Sequence, residues 1–102
     1  MFEFKDKQYE MKFNRERVKL VEKANKGSLI GEWVQTNGMW SLQTIELVFQ
    51  LCVKEAGSDH FLSQREGLEL CNDYMAEKGY GAVALMVQEA LQDDMPFLFR
   101  TT

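Results

Sequence analysis

Large apolar and polar side chains alternate along the first thirteen residues. The apolar positions are Phe2, Phe4, Tyr9, Met11 and Phe13. A period of two is typical of strands with one buried face. Asp6-Lys7 separates the two alternating runs, so we predict a β-hairpin over residues 1–13. Because an isolated hairpin is only marginally stable in water, its aromatic face is expected to pack on helices or on another subunit.

From Asn14 onward the apolar residues recur at intervals of three and four, which is typical of amphipathic helices. Capping residues and glycine stops predict helices over residues 15–26, 42–56, 64–78 and 82–92. The clearest helix starts are Ser41 and the capping box that runs from Ser63 to Glu66. The helix after Ser41 is apolar over much of its girth, which favours a central position covered on several sides.

The stretch from Ser28 to Trp40 has two interpretations. Its apolar residues recur at helical spacing, although Gly31 weakens a helix. Asn37-Gly38 is a strong turn signal. We predict a short helix followed by a turn, with a strand that pairs with the hairpin as the alternative.

A short apolar segment, Met95-Pro96-Phe97-Leu98-Phe99, follows the last predicted helix. Pro96 prevents the helix from continuing, so we predict a short extended tail over residues 95–102. A terminus beyond a proline is seldom held by its own helix. Large apolar residues in this tail and in the ambiguous stretch are candidates for partner binding or self-association, the alternative being burial in the monomer core. They are Trp33, Met39, Trp40, Phe97, Leu98 and Phe99.

Together these patterns predict a single domain over residues 1–102. Its fold class is mainly α with a small N-terminal β-hairpin (α+β), in a compact helical domain of four to five helices. The helical body covers residues 14–94. Six methionines fit an adaptable apolar surface, because the flexible Met side chain packs against varied partners.

The charge pattern bears on possible partners. The formal net charge is -4, and the basic residues between Arg15 and Lys26 are diluted by Glu16 and Glu22. Nucleic-acid binders usually carry an undiluted basic stripe, so we expect no nucleic-acid partner. The longest apolar run, Ala82 to Val87, is far shorter than a bilayer span, so we expect no membrane partner. The first residues do not have the pattern of a signal peptide, which favours the cytoplasm.

Residues for catalysis or metal binding are scarce. His60 is the only histidine, and it lies in a polar loop beside Asp59, where we expect it to be exposed. Cys52 and Cys71 are expected to be buried, reduced thiols. Two cysteines and one histidine are too few for a structural zinc site, so we expect no metal and no cofactor. We therefore predict that the protein is not an enzyme.

Acidic residues form a row at helical spacing, namely Glu66, Glu69, Asp73 and Glu77. Such a row is usually a solvated helix face. A docking stripe for a basic partner is the weaker alternative.

The two ends of the chain resemble a known family. The residues from Phe2 to Phe13 are similar to the start of tail assembly chaperones of long-tailed bacteriophages, with the lactococcal-phage members most similar. The end of the chain also resembles that family, in Tyr80-Gly81-Ala82, in the run from Val87 to Leu91, and in Phe97 and Arg100.

The resemblance implies a function in viral morphogenesis. Such chaperones bind the tape measure protein, a long, helical, apolar chain, and keep it soluble in the host cytoplasm until tail-tube subunits polymerise around it. The resemblance also implies a homo-oligomer, as a ring or spiral, that is absent from the mature virion. Two other functions stay open from the residues: a structural tail completion or connector subunit, and a small regulatory adaptor that binds one helix.

Overall fold

The sequence patterns translate into helices and a small sheet in the computed structural model, which describes residues 1–100. Within these residues there are five α-helices, a three-stranded antiparallel sheet and one 3₁₀ helix. Along the chain the elements are β1 (Phe2–Phe4), β2 (Lys7–Met11), α1 (Arg15–Asn25), α2 (Leu29–Thr36), α3 (Leu42–Cys52), β3 (Val53–Glu55), α4 (Gln64–Lys78), α5 (Tyr80–Asp94) and the 3₁₀ helix (Pro96–Phe99). The predicted fold class, mainly α with a small N-terminal β element, is confirmed.

The N-terminal hairpin forms as predicted, and its aromatic face packs on the helices. β1 and β2 are antiparallel, with Phe2 opposite Tyr9. The turn residues are Lys5 and Asp6, one position earlier than predicted, and both have positive φ. Turns of this kind match the twist of the strands that they join. The Phe2 ring lies 5.1 Å from the ring of Tyr74 in α4, so the hairpin packs against its own chain.

A third strand, β3, was not predicted. The helix after Ser41 ends at Cys52 and not at Ala56, because the next three residues pair with β2 and place Val53 opposite Met11. The Lys12 N–H donates to the Cys52 carbonyl at 2.7 Å, and the Ala56 N–H donates to the Gln8 carbonyl at 2.9 Å. These cross-strand bonds replace the helical bonds that the periodicity predicted, and they leave β2 in the middle of the sheet.

Helix boundaries agree with the capping signals to within a few residues. Asn14 and Ser63 cap α1 and α4, and the capping box at Ser63 is complete. α1 ends one residue earlier than predicted, because Lys26 and not Gly27 takes the left-handed conformation. α5 begins at Tyr80 and runs to Asp94, since Gly79 alone, with φ of 90°, separates it from α4.

The core is built around α3, which packs against α1, α4 and α5. Ile45, Val48, Phe49 and Cys52 of α3 are fully buried. α5 contributes Val83, Val87 and Leu91 to the same core. The stretch between Ser28 and Trp40 supplies α2 and not a strand.

The expectation of an extended C-terminal tail is wrong. Pro96 is the first residue of a 3₁₀ helix, and the residue before it, Met95, is buried. The Leu98 N–H donates to the Met95 carbonyl at 3.1 Å, so the chain turns back towards the helical body and does not extend into solvent. Residues 101 and 102 of the predicted tail lie outside the described residues.

Candidate contact surface

Trp40, one of the predicted contact residues, lies in the core. Its side chain is 1% exposed, and its Nε1 donates to the Ala84 carbonyl at 3.2 Å. The Trp40 carbonyl accepts from the Tyr80 hydroxyl at 2.6 Å. Trp40 therefore anchors the α2–α3 connection to α5. A side chain held in this way cannot reach a partner in the folded chain, which corrects the expectation from the sequence.

Trp33 and Phe99 are both half-buried and pack on each other. Their ring centroids are 5.0 Å apart, and the rings are nearly perpendicular. This edge-to-face arrangement is favourable for aromatic pairs. The contact joins α2 to the 3₁₀ helix. Both rings are therefore largely used inside the chain and offer only part of their surface to a partner.

Met39 and Phe97 are the predicted contact residues that remain exposed. Met39 is 61% exposed and Phe97 is 45% exposed. The Arg15 guanidinium lies 4.9 Å from the centre of the Phe97 ring, a cation–π distance. Leu98 is half-buried against the core. The six predicted residues thus do not form one surface, since they range from the core to the solvent.

The exposed apolar residues that the sequence reasoning missed include Val34, Leu42 and Leu85, which are 62%, 58% and 53% exposed. Leu42 is the first residue of α3. Leu85 lies within the longest apolar run but off the inward stripe of α5, and this offset is a signal that could have found it.

Met39, Leu42 and Leu85 belong to segments that meet at Trp40, and α2, which carries Val34, contacts the α2–α3 connection. Met39 immediately precedes Trp40, and Leu42 follows it by two positions. Leu85 follows Ala84, whose carbonyl accepts the Trp40 hydrogen bond. The α2–α3 connection also contacts α2, since a Cβ on Gly38 would lie 3.4 Å from Nε1 of Trp33. Val34 is the next residue after Trp33. The set of Val34, Met39, Leu42 and Leu85 is called the α2–α5 surface below.

A polar cluster under this surface fixes the start of α3. The Glu32 carboxylate accepts from the Ser41 N–H at 2.7 Å and from the Thr44 hydroxyl at 2.7 Å. Thr44 is fully buried, and Asn25 donates to its hydroxyl at 3.0 Å. Hydrogen bonds to a carboxylate are stronger than neutral ones. The exposed residues on either side of Trp40 are therefore carried by a well-held segment of backbone.

The residues with reactive side chains are one histidine and two cysteines. His60 is exposed, as expected, whereas Cys52 and Cys71 are buried and free. Burial raises the pKa of Cys52 to about 12 and that of Cys71 to about 11. Residues 1–100 hold no group of three His, Cys, Asp or Glu side chains arranged to bind a metal ion.

The acidic row on α4 is exposed, as expected. Asp73 pairs with Lys5 of the hairpin turn at 3.9 Å, and Glu69 pairs with Arg65 at 3.2 Å. Hydrogen bonds from Ser63 lower the pKa of Glu66. Three of the four members are thus involved in local contacts that stabilise the helix and its neighbour.

Among residues 1–100, no helix combines the length and the apolarity that a membrane span requires. Comparison of the chain with protein-family models, with curated proteins and with solved structures found no match. The function is therefore inferred from the residues and surfaces described above.

Proposed function

We propose that this protein is a tail assembly chaperone of a long-tailed bacteriophage, which binds the tape measure protein and keeps it soluble during tail morphogenesis. The resemblance of both ends of the chain to that family supports the proposal. The observation that carries it is the α2–α5 surface, where four large apolar side chains are at least half exposed.

The energetics fit a weak, repeated contact. Full burial of a large apolar side chain contributes about 1.5–3 kcal/mol, so covering the exposed half of each contributes about 1 kcal/mol. One copy therefore holds a client helix weakly. Many copies along a long amphipathic client gain affinity from their combined contacts. Met39 suits this function, because its flexible side chain adapts to varied client sequences.

The proposal includes self-association into a ring or spiral around the client, action in the host cytoplasm, and absence from the finished virion. The net charge of -4 supports solubility of a large assembly, since like charges keep separate assemblies apart.

Coexpression with the tape measure protein of the phage that encodes this chain tests the proposal. The soluble fraction of the client should rise several-fold when the chain is present. The double variant Met39→Glu/Leu85→Glu should lose this effect, because it places charges on the α2–α5 surface.

Ala76→Glu is the matched control, since Ala76 is also an exposed apolar residue but belongs to α4. A client that precipitates equally with and without the chain would contradict the proposal. Finding the chain in purified virions would also contradict it, and would favour a structural tail subunit.

A further inference from the structure

A second apolar surface lies between α1 and α3 and shares no residue with the α2–α5 surface. It is a groove of about 580 Å³. Its apolar lining consists of Leu20, Ala24, Leu47 and Leu51. Leu20 is 38% exposed, and both leucines of α3 are only partly buried against the core. The packing of α1 on α3 therefore leaves a continuous row of aliphatic side chains open to solvent.

The charges at this groove are all positive. Lys23 and Lys26 line it, and its two remaining lining residues are the uncharged Gln50 and Gln64. This is notable in a chain with a net charge of -4. The groove thus combines an apolar floor with a basic edge.

The two acidic residues of α1 do not pair with these lysines. The Glu22 carboxylate accepts from the Leu29 N–H at 2.8 Å, at the start of α2. Glu16 is in the first turn of α1, at the opposite end of the helix from Lys23. No ion pair within residues 1–100 involves Lys23 or Lys26.

We propose that this groove binds an amphipathic helix of another protein, one with apolar residues on adjacent turns and acidic residues beside them. Helices that bind in grooves insert apolar side chains spaced three or four residues apart. Two such side chains would cover the leucines, and acidic residues on the same helix would lie beside Lys23 and Lys26. Charge complementarity of this kind selects the partner and speeds its association.

The helices of a second copy do not have this chemistry. Within residues 1–100 each α-helix carries at most one exposed large apolar residue. α5 comes nearest, because Leu85, Glu89 and Asp93 follow one another at intervals of four, but it offers a single apolar side chain. The helix that carries the acidic row, α4, has no exposed large apolar residue. None of the helices in residues 1–100 therefore offers two exposed large apolar residues, which favours a different protein as the source of the bound helix.

Two synthetic helical peptides with the same leucine pattern test the proposal. One carries glutamates beside the leucines, and the other carries lysines at those positions. Fluorescence anisotropy with the full chain should show about tenfold tighter binding of the acidic peptide, since two attractive charge pairs replace two repulsive ones.

Three variants identify the groove. Leu20→Glu should weaken binding of the acidic peptide about tenfold or more, because it places a charge on the apolar floor of the groove. Lys23→Gln/Lys26→Gln should remove most of the preference for the acidic peptide. Ala76→Glu, at an exposed position of α4 outside the groove, is the control and should leave binding unchanged. These side chains are exposed, so the variants are expected to fold, and circular dichroism checks this.

Several results would overturn the proposal: no binding of either peptide, equal binding of both, or loss of binding in Ala76→Glu. Light scattering on the chain alone provides a further test. A dimer that Leu20→Glu dissociates would assign the groove to a second copy and would likewise overturn the proposal. None of these results depends on the tape measure protein, so the two proposals can fail separately.

Discussion

Gly67 of α4 lies directly against the backbone of Phe49 in α3. A Cβ on Gly67 would lie 2.5 Å from the Phe49 carbonyl oxygen and 2.7 Å from the Cα of Gln50. These are distances that a methyl group cannot occupy unless the helices move apart. The contact between α4 and the central helix therefore depends on the absence of a side chain at residue 67.

Replacing Gly67 by alanine is expected to lower the free energy of unfolding by about 1–3 kcal/mol. The added methyl group would collide with backbone atoms, which cannot move away by a side-chain rotation. The control is Gly81→Ala in α5, where a Cβ would meet no atom within 4 Å. That variant should be unchanged or up to about 1 kcal/mol more stable, since alanine favours helix. Urea denaturation measures both. Equal stability of Gly67→Ala and the parent chain would contradict the close approach of the two helices.

Asp94 joins the end of α5 to the N-terminal region. Its carboxylate accepts from the Phe13 N–H at 2.8 Å and lies 3.5 Å from the Lys12 ammonium. Asp94→Ala is expected to lower the free energy of unfolding by about 1.5–3 kcal/mol, the usual range for hydrogen bonds to a charged group.

The exposed neighbour Asp93 provides the control. An acidic residue at a helix C-terminus is disfavoured by the helix dipole, so Asp93→Ala should leave stability unchanged or raise it slightly. Thermal and urea denaturation should rank the two variants in this order. A result in which both variants behave alike would show that the Phe13 hydrogen bond contributes little.

Local signals in the sequence predicted most of the fold. The capping box at Ser63 depends on residues three positions apart, so its geometry is contained in the sequence. β3 could not be found in this way, because Val53 fits both the helical pattern before it and a strand. Val53 belongs to a strand because its segment pairs with the backbone of β2, which lies more than forty residues earlier.

The exposure of the candidate contact residues was harder to predict than the fold. Met39 and Trp40 are adjacent and both apolar, but one is 61% exposed and the other 1% exposed. What separates them is the hydrogen bond from Trp40 to Ala84, which spans 44 residues. A contact of this range leaves no trace in local periodicity. Sequence reasoning therefore named both residues as contact candidates, although only Met39 is exposed.

The two tryptophans are expected to respond differently to replacement by phenylalanine. Trp40→Phe removes the Nε1 hydrogen bond to Ala84 and leaves space in the core, so we expect a loss of about 1–3 kcal/mol in the free energy of unfolding. In Trp33 the buried Nε1 has no acceptor among residues 1–100. Trp33→Phe removes the same side-chain volume as Trp40→Phe, but the donor that it removes is unpaired. The loss in the free energy of unfolding should therefore be about 1 kcal/mol or less. A larger loss in Trp33→Phe would contradict these assignments.

Both cysteines should be unreactive in the folded protein. Thiolates and not thiols react with disulfide reagents, and burial raises the pKa of both thiols far above neutral pH. At pH 8 the folded chain should release no chromophore from such a reagent on a timescale of minutes, whereas the chain in denaturant should titrate two thiols. Rapid reaction of the folded chain would show that the core opens around Cys52 or Cys71.

The same thiols make stability depend on pH in the alkaline range. The pKa of Cys52 is raised from 9.0 to about 12, so the unfolded chain loses this proton at a lower pH than the folded chain. The stability that depends on the neutral thiol is fully present below pH 9 and declines between pH 9 and about 12. Urea denaturation at pH 7.5 and pH 10 should show a smaller decline for Cys52→Ala than for the parent chain. Identical declines in the two proteins would mean that Cys52 is as accessible to water as in the unfolded chain.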